Sequence, residues 1–448
     1  MTQAIEKLKT IIPERLSEKI ILPEDKEYRY VQSSYMKVGK PSLVVLAEDN
    51  SDVVATLEYV RAVKQTYPDI PFSIRSGGHG MSGSSTNDDG IVLDLDKMNE
   101  IELLDEEAGI VKIQAGAQWG QVAATLSPYD LIITSGNFGD VGVGGIATSG
   151  GSGYFTRNQG LTIDHLIGAT LITADGVIHE VSSEKEPELF WGVRGGGAQL
   201  GVVTDFTFKA YRMNSTTHDA SVIQQHITFV AEDLEAFVAN WGSWIKQAPN
   251  EMTSFLMIQK TPQNSYAIDA RNIWAGTDAD RAIPELEKVL GIEKVYDHSE
   301  SMMSYANLIP YPQSIHMGQQ KIKIMNAIVD KVDESLGRAI KEVLETAHVV
   351  ELRPLSGKVH EIAQEDTAWA ARHQDGFLSV WMSPASDESL MREFSPVMSL
   401  ATGMYGAYSS VINPEVAALS WPGETGQRLK KLKEEVDPTH LFNTGLQI

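Results

Sequence analysis

An α+β chain of two domains is what this sequence predicts, on three observations. A β-α-β pattern opens it, a glycine-dense stretch at 136–160 interrupts all periodicity, and after Tyr211 helical patterns alternate with β-rich runs. The first domain is expected over residues 1–211 and the second over 212–400.

Residues 42–47 read as a strand, Ser51 as the cap of a helix with an apolar stripe at Val53, Val54, Leu57, Val60 and Val63, and residues 72–75 as the next strand. Short strands follow at 91–95, 101–104 and 110–115, then a helix at 118–126 and a strand at 131–134. Beyond the glycines come strands at 166–173 and 177–181 around the turn Ala174-Asp175-Gly176, and the run 201–206 closes the region. In the second half, helical patterns at 234–244, 283–289 and 327–345 alternate with β-rich runs at 254–259, 267–274, 349–355 and 377–381.

The 448 residues suffice for sizeable cores, and 42% hydrophobic residues suit a globular protein. A net charge of −23, spread along the chain, repels nucleic acid and anionic membranes. Runs such as Asp105-Glu106-Glu107 read as solvated turns. With no cysteine, disulfides, thiolate nucleophiles and cysteine-ligated metals are excluded. Residues 1–21 read as an amphipathic helix without the apolar core of a signal peptide, and no segment is apolar enough to span a bilayer, so a cytoplasmic protein is expected, monomer or homodimer.

Arg75-Ser76-Gly77-Gly78-His79, continued by Gly80-Met81-Ser82-Gly83, leads from a strand into a glycine-rich loop. Glycines let main-chain N–H groups approach a ligand closely, and a histidine there can bond to a cofactor. The alternative is a tight turn with a surface histidine. Gly142-Val143-Gly144-Gly145-Ile146-Ala147 fits a dinucleotide fingerprint, but Thr148-Ser149-Gly150-Gly151-Ser152-Gly153 follows, too glycine-rich to propagate the helix that motif needs, so a nicotinamide site is not expected. His360-Glu361 lacks a second histidine at zincin spacing, and no metal is expected. His316, Arg372 and His373 could reach a pocket or be surface or satisfied groups; Trp274, Trp381 and Tyr405 read as core aromatics, and Arg194 as pinning a turn.

Five further blocks accompany the histidine loop in order. They are the runs 136–145 and 157–166, Ala174-Asp175-Gly176, 188–197 and 201–206, with 429–433 and 437–442 near the end and a weaker match around 353–381. Together they resemble the berberine-bridge-enzyme-like FAD-linked oxidoreductases, of the vanillyl-alcohol-oxidase superfamily with a PCMH-type FAD-binding domain. The resemblance covers roughly 40–210 and the last forty or so residues. It implies a two-subdomain FAD domain with its core at about 37–211, an antiparallel-sheet substrate domain with helices, and a segment 401–448 that returns to the FAD domain.

It also implies FAD contacts from Arg75, Ser76, Gly77, Gly78, His79, Gly80, Met81, Ser82 and Gly83, from Phe138, Val141, Gly142, Gly144, Gly145, Thr148, Gly150, Ser152 and Gly153, and from Val202, Val203 and Asn443. The flavin is expected to be bonded to His79 alone, because Phe138 stands where many relatives carry a second, cysteinyl attachment. Such a bond makes the ring system more electron-withdrawing and favours substrate oxidation. Tyr408 falls where relatives place a proton-accepting tyrosine, although it could equally pack in a strand; a free phenol, with pKa of about 10, needs a cationic or hydrogen-bonding setting to act as base. Ile146 replaces a frequent histidine, Ser152 a frequent tyrosine, and the tail 442–448 is not the usual asparagine-rich one. The expected activity is oxidation of an alcohol or hemiacetal carbon of a small molecule, a saccharide among the candidates, with molecular oxygen as acceptor. A dehydrogenase using another acceptor, a secondary-metabolite tailoring oxidase and a flavin-binding protein without turnover are the alternatives.

Overall fold

The structure, a computed structural model, describes residues 11–310, 318 and 321–448. Four sheets organise them. A four-stranded sheet places Ile91–Asp94 between Leu43–Leu46 and Phe72–Arg75, parallel to both, with Ile20–Ile21 antiparallel on the outer edge. Every residue of Ile91–Asp94 is buried, as a central parallel strand requires. The helix Asn50–Thr66 makes the crossover; Asp49, not Ser51, caps it, its carboxylate accepting from the Asp52 N–H. An antiparallel five-stranded sheet follows, with Val202–Lys209 between Ile110–Gln114 and Leu166–Ile172. Among the described residues, Leu131–Ile132 pairs only with Tyr211–Arg212.

The second half builds one antiparallel eight-stranded sheet. Tyr266–Trp274 and Met252–Lys260 lead through Val349–Pro354 and Gly376–Met382 to Lys323–Val329. Helices Leu234–Gln247 and Glu334–Val343 pack together on it and bury Trp241, Ile340 and their neighbours.

Three local expectations are corrected. The pattern at 327–345 is not one helix: the β-rich Lys323–Val329 is a strand, and Asp333 caps a separate helix from Glu334 by accepting from the Ser335 and Leu336 N–H groups. The glycine-dense stretch does form a helix, Val143–Ser149, ended by Gly150 at φ 138°. The N-terminal helix does not run to residue 21; residues 1–10 lie outside the described residues, and beyond Pro13 come a 3-10 turn, Glu14–Leu16, and the strand Ile20–Ile21.

Buried arginines join the halves. Arg372 grips Asp164 with two hydrogen bonds of 2.9 and 2.8 Å, and Arg157 donates to the carbonyls of Ala248, Pro249 and Met252. Burial lowers the Arg157 pKa to about 10, and the charge of Glu251 offsets only part of that. A small apolar cluster of Leu161, Ile163, Ile328, Trp369, Phe377 and Tyr405 fills the junction. Among the described residues no helix is long and apolar enough to cross a membrane, and no group of three or more His, Asp or Glu could hold a metal.

Candidate active site

A cavity of about 330 Å³ lies between the glycine loops and the eight-stranded sheet. Its floor begins where Phe72–Arg75 ends. Gly77 and Gly142 meet main chain to main chain: a Cβ on Gly77 would fall 2.3 Å from the Gly142 nitrogen, and one on Gly142 2.2 Å from that of Gly77. Ser76 seals the join, its hydroxyl donating to the Ala115 carbonyl at 2.5 Å and accepting from the Gly144 N–H at 3.2 Å. Gly80 and Gly145 also line the cavity, yet a Cβ on either would meet nothing within 4 Å. The open space lies beside main chain, a cradle of the kind that lets a large planar or phosphorylated ligand approach the peptide groups. Asn137, also in the lining, has a buried Oδ1 without a hydrogen-bond partner. The residues present therefore fit a bound FAD.

The cavity brings together Ser76, Gly77, Gly78, His79, Gly80, Met81 and Ser82, then Phe138, Val141, Gly142, Gly144, Gly145, Thr148 and Ser152, and Val202 and Val203. Five other expected contacts lie outside its lining, each for a visible reason. Arg75 is buried in an ion pair with Asp94 and donates to the carbonyls of Val31 and Ser33, so it pins the strand. Gly83 packs on Lys37 at φ 73°, Gly150 lets the Trp369 ring approach, and Gly153 sits under the Ser135 carbonyl. Asn443 is exposed; the tail reaches the cavity through Thr444, Gly445 and Leu446 instead, tied down by Thr444 Oγ1 donating to the Phe72 carbonyl.

The His79 side chain is largely buried between two neighbours. The Tyr35 ring stacks on its imidazole at 4.1 Å and 13°, and its Nε2 faces Asp140 Oδ1 at 3.7 Å. Phe138, half exposed, lies on a wider stack at 6.2 Å.

Side chains of the second half roof the cavity. Arg353 pairs with Glu351 at 2.7 Å, and its other terminal nitrogen donates to the Ser152 carbonyl at 3.0 Å. Glu351 also accepts from Ser379, which accepts from the Trp381 indole N–H. Tyr405 and Trp381, read from sequence as core aromatics, both line the cavity; Trp274 is core. The Tyr405 hydroxyl accepts from the Gly151 N–H at 3.1 Å, and burial pushes its pKa up to about 12. Tyr408 lines the cavity from a 3-10 turn, Gly406–Tyr408, not a strand. Its ring lies 5.7 Å from the Arg353 guanidinium. Burial, helped by the Glu351 charge, raises its phenol well above the ordinary value, and Arg353 offsets only part of that. Arg372 and His373 are not in the lining, His316 lies outside the described residues, and Arg194 holds the Asp366 carbonyl at 2.8 Å.

Comparison with known proteins agrees with this geometry. A family profile described as an FAD binding domain matches residues 41–182. An uncharacterized FAD-linked oxidoreductase of Bacillus subtilis, YgaK, is 28% identical over 96% of both chains. The (R)-6-hydroxynicotine oxidase of Paenarthrobacter nicotinovorans is 26% identical over 98% of both. Among solved structures, the glucooligosaccharide oxidase of Acremonium strictum, described with a 6-S-cysteinyl, 8α-N1-histidyl FAD, superimposes with TM-score 0.81 at 20% identity, over 99% of this chain and 98% of its own. The fold is thus that of the PCMH-type FAD oxidases, and the protein is an FAD-dependent oxidoreductase. The BBE-like 1 protein of Physcomitrella patens shares that fold, with TM-score 0.81 at 18% identity over 98% of this chain and 97% of its own.

Of the groups that shape the site, sequence reading missed Tyr35, Asp140 and the Glu351–Arg353 pair as such. Asp140 stands two residues after Phe138, inside a block already singled out; Tyr35 carries no local signal.

Proposed function

We propose that the protein is an oxidase that takes a hydride from an alcohol or hemiacetal carbon of a small molecule, with saccharides the first class to test. Its FAD would be bonded to His79 alone, and molecular oxygen would be the acceptor. The observation that carries this reading is the single cavity shared by the His79 loop and the aromatic roof of Trp381, Tyr405 and Tyr408. Bound FAD supplies the electron acceptor for the hydride. The loop amides would hold it, and the roof would keep water from the reacting carbon and orient it.

Tyr408 is the residue we assign to the substrate proton. Its raised pKa means that the phenol is protonated near neutrality, so activity as a base belongs to alkaline solution. The whole-length similarity to a hydroxynicotine oxidase adds oxidation at a carbon beside nitrogen as a second reading.

The test is anaerobic mixing of the purified yellow protein with panels of sugars, alcohols and cyclic amines. Bleaching by a sugar or alcohol supports the first reading, bleaching by amines alone favours the second, and no bleaching by any panel removes both. Acid precipitation tests the attachment: colour is expected in the pellet, on the peptide that contains His79.

A further inference from the structure

We propose that Asp140 is a positioning residue for covalent attachment of the flavin, acting through His79 with Tyr35 as the opposing wall. This rests on the reading of His79 as the attachment point. Three facts carry it. The Asp140 carboxylate faces Nε2 of His79 at 3.7 Å, and both side chains are largely buried, so the charge is poorly screened. The Tyr35 ring lies parallel to the imidazole at 4.1 Å, and the Tyr35 N–H donates to the Gly78 carbonyl at 2.9 Å, which fixes the ring beside the loop. Asp140 itself adjoins Val141 and Gly142, so the carboxylate and the loop join move as one piece.

Together these groups fix the plane and the tautomer of the imidazole. A carboxylate at Nε2 favours the proton on that nitrogen and turns the lone pair of Nδ1 toward bond formation. In the attachment step the Nδ1–C8α bond forms and one C8α–H bond of the flavin methyl group is lost. The methyl proton leaves to solvent, and the electron pair passes to the flavin ring system, from which molecular oxygen takes it with two protons to give hydrogen peroxide. His79 gains positive charge as the bond forms. Asp140 stabilises that charge and receives the Nε2 proton, leaving a neutral alkylated imidazole. Tyr35 keeps the ring from rotating out of line.

The experiment uses full-length protein from riboflavin-limited cells, mixed with FAD in aerated buffer and sampled over time. Total bound flavin is read after desalting, and covalent flavin after acid precipitation and by the mass of the His79 peptide. Asp140→Asn is expected to bind FAD as the unmodified protein does but to attach it about 10²-fold slower, the lower end of what losing a proton-handling group costs. Its attachment rate should climb from about pH 7 to pH 9, as hydroxide takes over the Nε2 proton, where the unmodified protein's rate stays level. Tyr35→Leu should slow attachment less and leave the pH profile level. Equal rates and profiles in Asp140→Asn and the unmodified protein would overturn the proposal while leaving attachment through His79 intact. Failure of Asp140→Asn to bind FAD would also overturn it, assigning the residue to the shape of the site. Flavin released wholly by acid from the unmodified protein would instead sink the attachment reading itself.

Discussion

On the floor of the cavity the wall is main chain; on the roof it is side chain. Gly77, Gly142, Gly80 and Gly145 form the first by having nothing beyond Cα, two because another backbone occupies the place of a Cβ and two because open space does. Arg353, Trp381, Tyr405 and Tyr408 form the second, held by Glu351, Ser379 and the Gly151 N–H. A floor of peptide groups is insensitive to side-chain drift and suits a ligand that stays the same. A roof of large side chains changes shape with each substitution and suits one that differs between relatives.

The contrast breaks first at the glycines. Gly77→Ala should destabilise the protein by on the order of 4 kcal/mol and abolish flavin binding, because neither backbone can retreat. Gly145→Ala, pointing into open space, should lose flavin while keeping the melting temperature of the flavin-free unmodified protein. Equal melting temperatures for the two variants would refute the close contact.

On the roof, Tyr408→Phe should leave flavin content normal and slow flavin reduction by ~10²–10⁴-fold. Because burial holds the phenol above its ordinary value, the rate in the unmodified protein should rise with pH toward and beyond about 10, and the variant should flatten that rise. A near-native rate in Tyr408→Phe removes it from the chemistry.

Away from the cavity, His165 tests how dry the interior is. Its Nε2 accepts from the Thr134 N–H at 3.4 Å, its Nδ1 faces the Lys209 carbonyl at 3.3 Å, and burial lowers its pKa from 6.5 to about 4. The unfolded chain therefore takes up a proton that the folded one refuses. Stability from this group is complete above pH 6.5 and should fall by about 3 kcal/mol as pH drops toward 4. Denaturant titrations of His165→Gln, which lacks this group, should show a correspondingly shallower decline.

The smallest effect is expected at Val141, on the floor and in the lining. Val141→Ile adds one methylene where oxygen would approach, and should slow reoxidation of reduced enzyme by about tenfold without altering its reduction by substrate. Unchanged reoxidation in stopped flow would show that oxygen does not pass this side chain.

What could be read from the sequence follows the same division. The strand Phe72–Arg75, its helix and the glycine blocks were legible because glycine and periodicity act over a few residues. The short helix Val143–Ser149 was not, since its support is tertiary: the Val143 N–H bonds the Ala117 carbonyl, and the Ser76 hydroxyl holds Gly144. Arg75 looked like a ligand-loop residue, but its partner Asp94 lies nineteen positions away on the neighbouring strand. Tyr405 looked like core because its partner Gly151 is 254 residues distant. The run at 327–345 failed for a local reason: a strand and a helix separated by Asp330 to Asp333 can share one apolar rhythm.

The contact between Gly77 and Gly142 also sets where this chain can be recombined with a relative. A chimaera whose junction falls between those two positions would pair loops from different parents at a place with no side chain to absorb a mismatch of a few tenths of an ångström. A junction after Lys209, at the end of the strand Val202–Lys209, keeps both loops from one parent and exchanges most of the roof. Libraries meant to change what the enzyme accepts should therefore be cut there.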